Sequence, residues 1–139
     1  MYINYLSKNI VPIKNAQDIL KYLYEKQYEI YIVTNGPKMA VNNKLSKINA
    51  RKYISGTFTA EEAGYMKPKH EFFTKFFNSI NSYKTEDMLI IGDELEKDVL
   101  GGIQNGIDSC WFNIKNTINK TDLKPTYEIN SLKELKNIL

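Results

Sequence analysis

Cysteine, histidine, tryptophan and arginine are scarce in this chain. Of its 139 residues, only Cys110, His70, Trp111 and Arg51 represent these four types. A single cysteine excludes an internal disulfide and agrees with a reducing compartment, so a cytoplasmic location is expected. The positive charge is almost all lysine. It is scattered, with 19 basic against 16 acidic residues and a net charge of +3. A nucleic-acid-binding footprint clusters its charge and draws on arginine forks, so no nucleic-acid partner is expected. No apolar run approaches the ~20 residues that a membrane-spanning helix needs. The first six residues, Met-Tyr-Ile-Asn-Tyr-Leu, carry no charged stretch ahead of an apolar one, so neither a membrane span nor a secretory signal is expected. With 42% hydrophobic and 25% charged residues the composition is that of an ordinary globular domain. The length suits one compact core.

What is present is an alternation of two periodicities. The runs 29–36 (Glu-Ile-Tyr-Ile-Val-Thr-Asn-Gly) and 88–93 (Met-Leu-Ile-Ile-Gly-Asp) are short, rich in β-branched residues and closed by turn residues. Neither alternates polar with apolar, so each reads as a strand buried on both faces of a parallel sheet. Residues 107–113 form a third such run, and 54–59 and 126–129 are weaker strand candidates. Helical spacing fills the intervals. Asn15 is expected to cap a helix carrying Ala16, Ile19, Leu20 and Leu23. Pro37 is expected at the first position of a second helix, with Val41, Leu45 and Ile48 inward. Pro68 is expected to open a third, with Phe72, Phe73, Phe76, Phe77 and Ile80 as its stripe. Val99, Leu100 and Ile103 mark a fourth, ended by Asn105-Gly106. Ser131 and Glu134 form a capping box. Strands alternating with helices predict an α/β layered fold with right-handed crossovers. In such folds ligands bind beyond the carboxyl ends of the strands.

Three strand ends carry candidate chemistry. Thr34-Asn35-Gly36 ahead of Pro37 puts a hydroxyl, a permissive glycine and free helix-start N–H groups together, an oxyanion cradle. Asp93 leaves the second strand tip, with Glu94 beside it and Asp98 in the opening turn of the next helix. Carboxylates converging there would repel one another unless a hard divalent cation relieved them, and all-oxygen ligands suit magnesium. Gly101-Gly102 inside a helix implies that something packs close. Lys67, held extended by Pro68, can reach back toward a phosphate as a compact charge. His70, on a helix's first turn, reads as a surface residue.

In order, strand-Thr34-Asn35-Gly36, Met66-Lys67-Pro68 and strand-Gly92-Asp93 followed by Asp98-Val-Leu-Gly-Gly resemble motifs two, three and four of the haloacid dehalogenase (HAD) superfamily of phosphatases. Residues 101–106 and 109–113 are similar to its YjjG-type branch of pyrimidine 5′-nucleotidases. The resemblance implies a three-layer Rossmann-like core over residues 10–139, with 1–9 as the tail of a cap helix and linker. It implies magnesium-dependent hydrolysis of a small phosphorylated metabolite through a phospho-aspartate. Thr34 and the Asn35 and Gly36 backbone would then bind the phosphoryl group, and Lys67 would neutralise its charge. Asp93 would hold magnesium. Asp98 would hold a magnesium-bound water or orient Lys67, with Glu94 a weaker metal candidate.

The first motif of that superfamily, an Asp-x-Asp-x-Thr run that supplies the nucleophile, is missing from the 139 residues, as is the cap. The resemblance therefore implies the carboxyl-terminal part of a phosphatase, inactive alone and without its usual central strand. Three repairs are expected. The strands ending at Thr34 and Asp93 pair directly, residues 2–6 fill the slot, or a second copy supplies a strand in a homodimer. Two rival readings remain: a non-catalytic phosphate- and metal-binding or regulatory protein, and a receiver-like signalling domain. The receiver reading suffers from motif order, since Thr34 comes first here and the acids last. No Gly-x-Gly-x-x-Gly follows a strand, so a dinucleotide domain fits poorly.

Overall fold

The structure is a computed structural model that describes residues 14–80 and 83–139. Helix α1 (Ala16–Glu25) leads into strand β1 (Tyr31–Thr34), then α2 (Lys38–Lys47), β2 (Gly56–Thr59), the single turn α3 (Ala60–Ala63) and α4 (His70–Ser79). Strand β3 (Leu89–Gly92) follows, then a wide π-type turn over Leu95–Val99 and the short helix α5 (Leu100–Gln104). Strands β4 (Asp108–Phe112) and β5 (Tyr127–Ile129) and a 3₁₀ helix over Leu132–Asn137 complete the order. All strand pairings are parallel: β1 with β2, and β3 with β4 with β5.

The unalternating runs lie where both faces of a sheet are covered. Ile32 of β1 and Leu89 and Ile91 of β3 join one apolar cluster with α1, α2 and the 3₁₀ helix, through Ile19, Leu23, Val41, Leu45 and Leu135. Their neighbours Val33 and Ile90 point the other way, into a second cluster with Phe72, Phe73, Phe76 and Phe77 of α4. Two cores on opposite faces of the strands make three layers. Burying each phenylalanine of that stripe is worth about 1.5–3 kcal/mol. Phe58 of β2 adds edge-on contacts to Phe72 and Phe76 at 5.4 and 5.6 Å.

Several local expectations are corrected. Strands β1 and β3 do not pair: among the described residues the strands form a two-stranded sheet β1-β2 and a three-stranded sheet β3-β4-β5. Their side chains nevertheless share both cores, so apolar packing joins the two sheets. The expected filling of that slot by residues 2–6, and the assignment of residues 1–9 as a linker, lie outside the described residues. Asn15 precedes α1 in the left-handed region (φ 69°) and makes no side-chain cap. Pro37 is extended and sits just before α2, which begins at Lys38. The Lys67–Pro68 bond is cis, and α4 begins two residues later, at His70. Ile103 is 48% exposed because the π-type turn shifts the phase of the short helix behind it.

The paired glycines behave as expected. A Cβ on Gly101 would stand 2.3 Å from Phe73 Cζ, and one on Gly102 would stand 3.0 Å from the Ile107 carbonyl oxygen, so α5 lies directly on α4 and on the start of β4. Cys110, fully buried in β4, has its thiol pushed up to about 12 by burial, with a smaller contribution from Glu134. At pH 8 the native protein should therefore resist thiol reagents. Measured by 5-thio-2-nitrobenzoate release, one equivalent should appear only after denaturation; fast labelling of the folded chain would contradict this packing.

Candidate functional site

The strand ends bring the expected residues to one edge of the fold. Thr34 closes β1 and Gly92 closes β3. The chain between them returns at Lys67 to lie against both. Lys67 and Asp98 are 8% and 3% exposed, and Lys67 Nζ lies 2.8 Å from Asp98 Oδ1. The ammonium also donates to the Val33 carbonyl at 3.2 Å. An ammonium has three protons. These two bonds use two of them.

Lys67 is tied at its backbone as well. Its N–H donates to Asn35 Oδ1 at 2.7 Å, and Asn35 Nδ2 donates to its carbonyl at 3.2 Å. The Thr34 hydroxyl accepts the Gly36 N–H at 3.0 Å, so its own proton can be donated to an oxyanion. The amide thus turns back on the hydroxyl, a local bond that tightens the cradle expected at residues 34–36.

Asp98 is held from three directions. Oδ1 meets Lys67, Oδ2 accepts the Glu94 N–H at 3.2 Å, and Gly92 leaves the space its carboxyl fills. A Cβ on Gly92 would lie 2.2 Å from Asp98 Oδ2. Burial pushes the Asp98 carboxyl above the ordinary carboxylate range; the Lys67 ammonium and the Glu94 N–H act against that rise, and the charge of Asp93 adds to it. Asp93 is exposed at the tip of β3, and its main-chain carbonyl accepts the Trp111 indole N–H at 3.1 Å. Glu94 pairs with Lys97 at 2.6 Å, and that hydrogen bond raises the Lys97 ammonium above its ordinary value. His70 is exposed and lies within 3.2 Å of Thr74 Oγ1.

Of the two roles expected for Asp98, the contact with Lys67 is the one made here, and the charges of Asp93, Glu94 and Asp98 all act on Lys97. Asp98 is committed to Lys67, and Glu94 to Lys97. Among the described residues no group of three His, Cys, Asp or Glu side chains is placed to hold a metal ion. The donors present do not by themselves fit magnesium. Sequence reasoning missed three supports: the Asn35 carboxamide, the Val33 carbonyl and the space left by Gly92. A glycine ending an otherwise bulky strand was the visible sign of the third.

A parallel α/β core with a strand-end hydroxyl, a buried lysine and strand-tip acids at its carboxyl edge defines a hydrolase of the haloacid dehalogenase type. Residues 1–112 match the haloacid dehalogenase-like hydrolase family, and the chain belongs to it. It is 36% identical over 138 residues to the HAD-hydrolase YfnB of Bacillus subtilis, which covers 99% of this chain and 58% of that protein. It is 34% identical over 140 residues to the pyrimidine 5′-nucleotidase PynA of Streptococcus pneumoniae, covering 97% and 59%. The pyrimidine 5′-nucleotidase YjjG of Escherichia coli is 28% identical over 138 residues, covering 99% and 61%. The magnesium-bound crystal structure of YfnB superposes with a TM-score of 0.88 at 36% identity, over 95% of this chain and 57% of that one. An HAD phosphatase from Thermococcus onnurineus superposes with a TM-score of 0.77 at 25% identity, over 90% and 56%. The chain thus spans less than two thirds of the length of these relatives. No helix among the described residues is long and apolar enough to cross a membrane.

The Lys67–Asp98 pair generates a direct test. Removing one partner of a buried pair typically costs about 3–5 kcal/mol, because the remaining charge stays desolvated. Asp98→Ala should lower the urea midpoint accordingly. Gly92→Ala, which drives a methyl into the same carboxyl, should cost about 1–3 kcal/mol. Unchanged midpoints for both would contradict the packing described.

Proposed function

We propose that this chain is the phosphoryl-binding and charge-neutralising part of a phosphatase acting on small phosphorylated metabolites, with pyrimidine nucleoside 5′-monophosphates foremost. The observation that carries this reading is the buried Lys67 ammonium, fixed by Val33 and Asp98 at the edge where Thr34 also ends its strand. The nucleotide preference rests on the names of two relatives, PynA and YjjG.

In this reading the Thr34 hydroxyl and the Asn35–Gly36 backbone bind phosphoryl oxygens. Lys67 spends its third proton on the charge that builds up there. Asp98 holds the Lys67 ammonium in place. Phosphoryl transfer asks mainly for placement and charge stabilisation, which such groups supply. The acceptor of a phospho-aspartate route is another matter. The aspartates are Asp18, Asp87, Asp93, Asp98, Asp108 and Asp122, and no two stand in an Asp-x-Asp pair. The nucleophile and the further magnesium ligands therefore come from outside these 139 residues, with Asp93 as this chain's own oxygen donor. A non-catalytic phosphate binder is the second reading, favoured by that same missing pair.

The chain alone, given magnesium and p-nitrophenyl phosphate or nucleoside monophosphates, should release no phosphate above background. Joined to the segment of PynA that precedes the matched region, it should hydrolyse pyrimidine monophosphates and lose that activity on Thr34→Ala. Turnover by the chain alone, or a folded chimera without turnover, would contradict the reading. A strand lent by a second copy in a homodimer is a further part of this proposal, since β1 and β3 do not pair among the described residues. Sedimentation equilibrium should then return twice the chain mass; a monomer at all concentrations would exclude the exchange.

A further inference from the structure

We propose that the Asn35 side chain is a positioning residue that sets the affinity of the site for a phosphoryl oxyanion by fixing Lys67. The inference rests on the phosphate-binding reading above and adds to it a residue whose side chain does not touch the anion.

The geometry is specific. The Asn35 carboxamide meets both main-chain polar groups of a residue 32 positions away, accepting from the Lys67 N–H at 2.7 Å and donating to the Lys67 carbonyl at 3.2 Å. Only one orientation of the amide satisfies both bonds, because the oxygen must face the N–H and the nitrogen the carbonyl. Asn35 is itself fastened to the end of β1. The Lys67 ammonium bonds the carbonyl of Val33, two residues earlier on the same strand. Lys67 is thus tied to the β1 end at its backbone through Asn35 and at its tip through Val33. Between those ties lies Thr34, whose hydroxyl is turned by Gly36.

The cradle and the cation therefore form one closed unit. A flexible lysine loses side-chain freedom whenever it grips an anion. Here that ordering is complete before an anion arrives, so binding need not supply it. Without the carboxamide, the segment around Lys67 would keep its ion pair with Asp98 but lose its register against residues 34–36.

The test is a double-mutant cycle read by amide NMR titration of the chain with inorganic phosphate. Asn35→Ala should weaken phosphate binding about tenfold in the wild-type background, the scale of one well-placed bond to an ionised group. Lys67→Met with Asp98→Asn removes both charges together, so no buried charge is left unpaired. In that background Asn35→Ala should change phosphate affinity by less than about twofold, because a residue that acts only through Lys67 couples to it. A merely structural role would lower the melting temperature equally in both backgrounds and weaken binding equally in both, and that result would overturn the proposal. Phosphate binding that Asn35→Ala leaves unchanged would overturn it alone. If the wild-type chain showed no phosphate binding at residues 34–36, the reading beneath it would fall, and this inference with it.

Discussion

The ion pair between Lys67 and Asp98 organises this end of the molecule. Two charges buried this deeply persist only when their geometry and remaining hydrogen bonds offset the loss of water. Every nearby feature serves that requirement. Gly92 gives the Asp98 carboxyl its space, the Glu94 N–H takes its second oxygen, and the Val33 carbonyl takes a second proton of the ammonium. The wide turn over Leu95–Val99 brings Asp98 back beneath the end of β3. A regular helix from the same start would present these acids in a different phase.

The same pair decides what the acidic cluster can do. Read as sequence, Asp93, Glu94 and Asp98 are three carboxylates awaiting a cation. In the fold, Lys67 already neutralises Asp98, and Lys97 faces Glu94. Lys67 and Lys97 thus stand among the three acids at this edge. A lysine held with one unspent proton beside a strand-end hydroxyl suits a multiply charged oxyanion.

Much of the architecture was legible because burial on both faces leaves a plain mark. Strands β1, β3 and β4 fall inside the unalternating apolar runs, and the phenylalanine stripe of α4 lies in the core as its spacing implied. Helix starts were less legible. Pro37 and Pro68 each precede their helix by a residue or two, since extended or turn geometry competes with the first helical position at both. The residues that gather at the strand ends were named from their order along the chain. The Asn35 carboxamide escaped because its partner is 32 residues away and nothing local marks the contact. Of the three repairs expected for the missing central strand, direct pairing of β1 with β3 is not made among the described residues, and apolar side chains above and below join the two sheets instead.

In the function proposed above, Thr34 and Lys67 face one oxyanion while Asp98 holds the lysine from behind. A crystal structure of the chain with tungstate, a heavy tetrahedral oxyanion, tests it most directly. Tungsten density should appear between Thr34 Oγ1 and Lys67 Nζ, with the Asp98 contact intact. Tungstate bound elsewhere, or a Lys67 swung out of its pocket to meet it, would exclude a shared oxyanion site at Thr34 and Lys67.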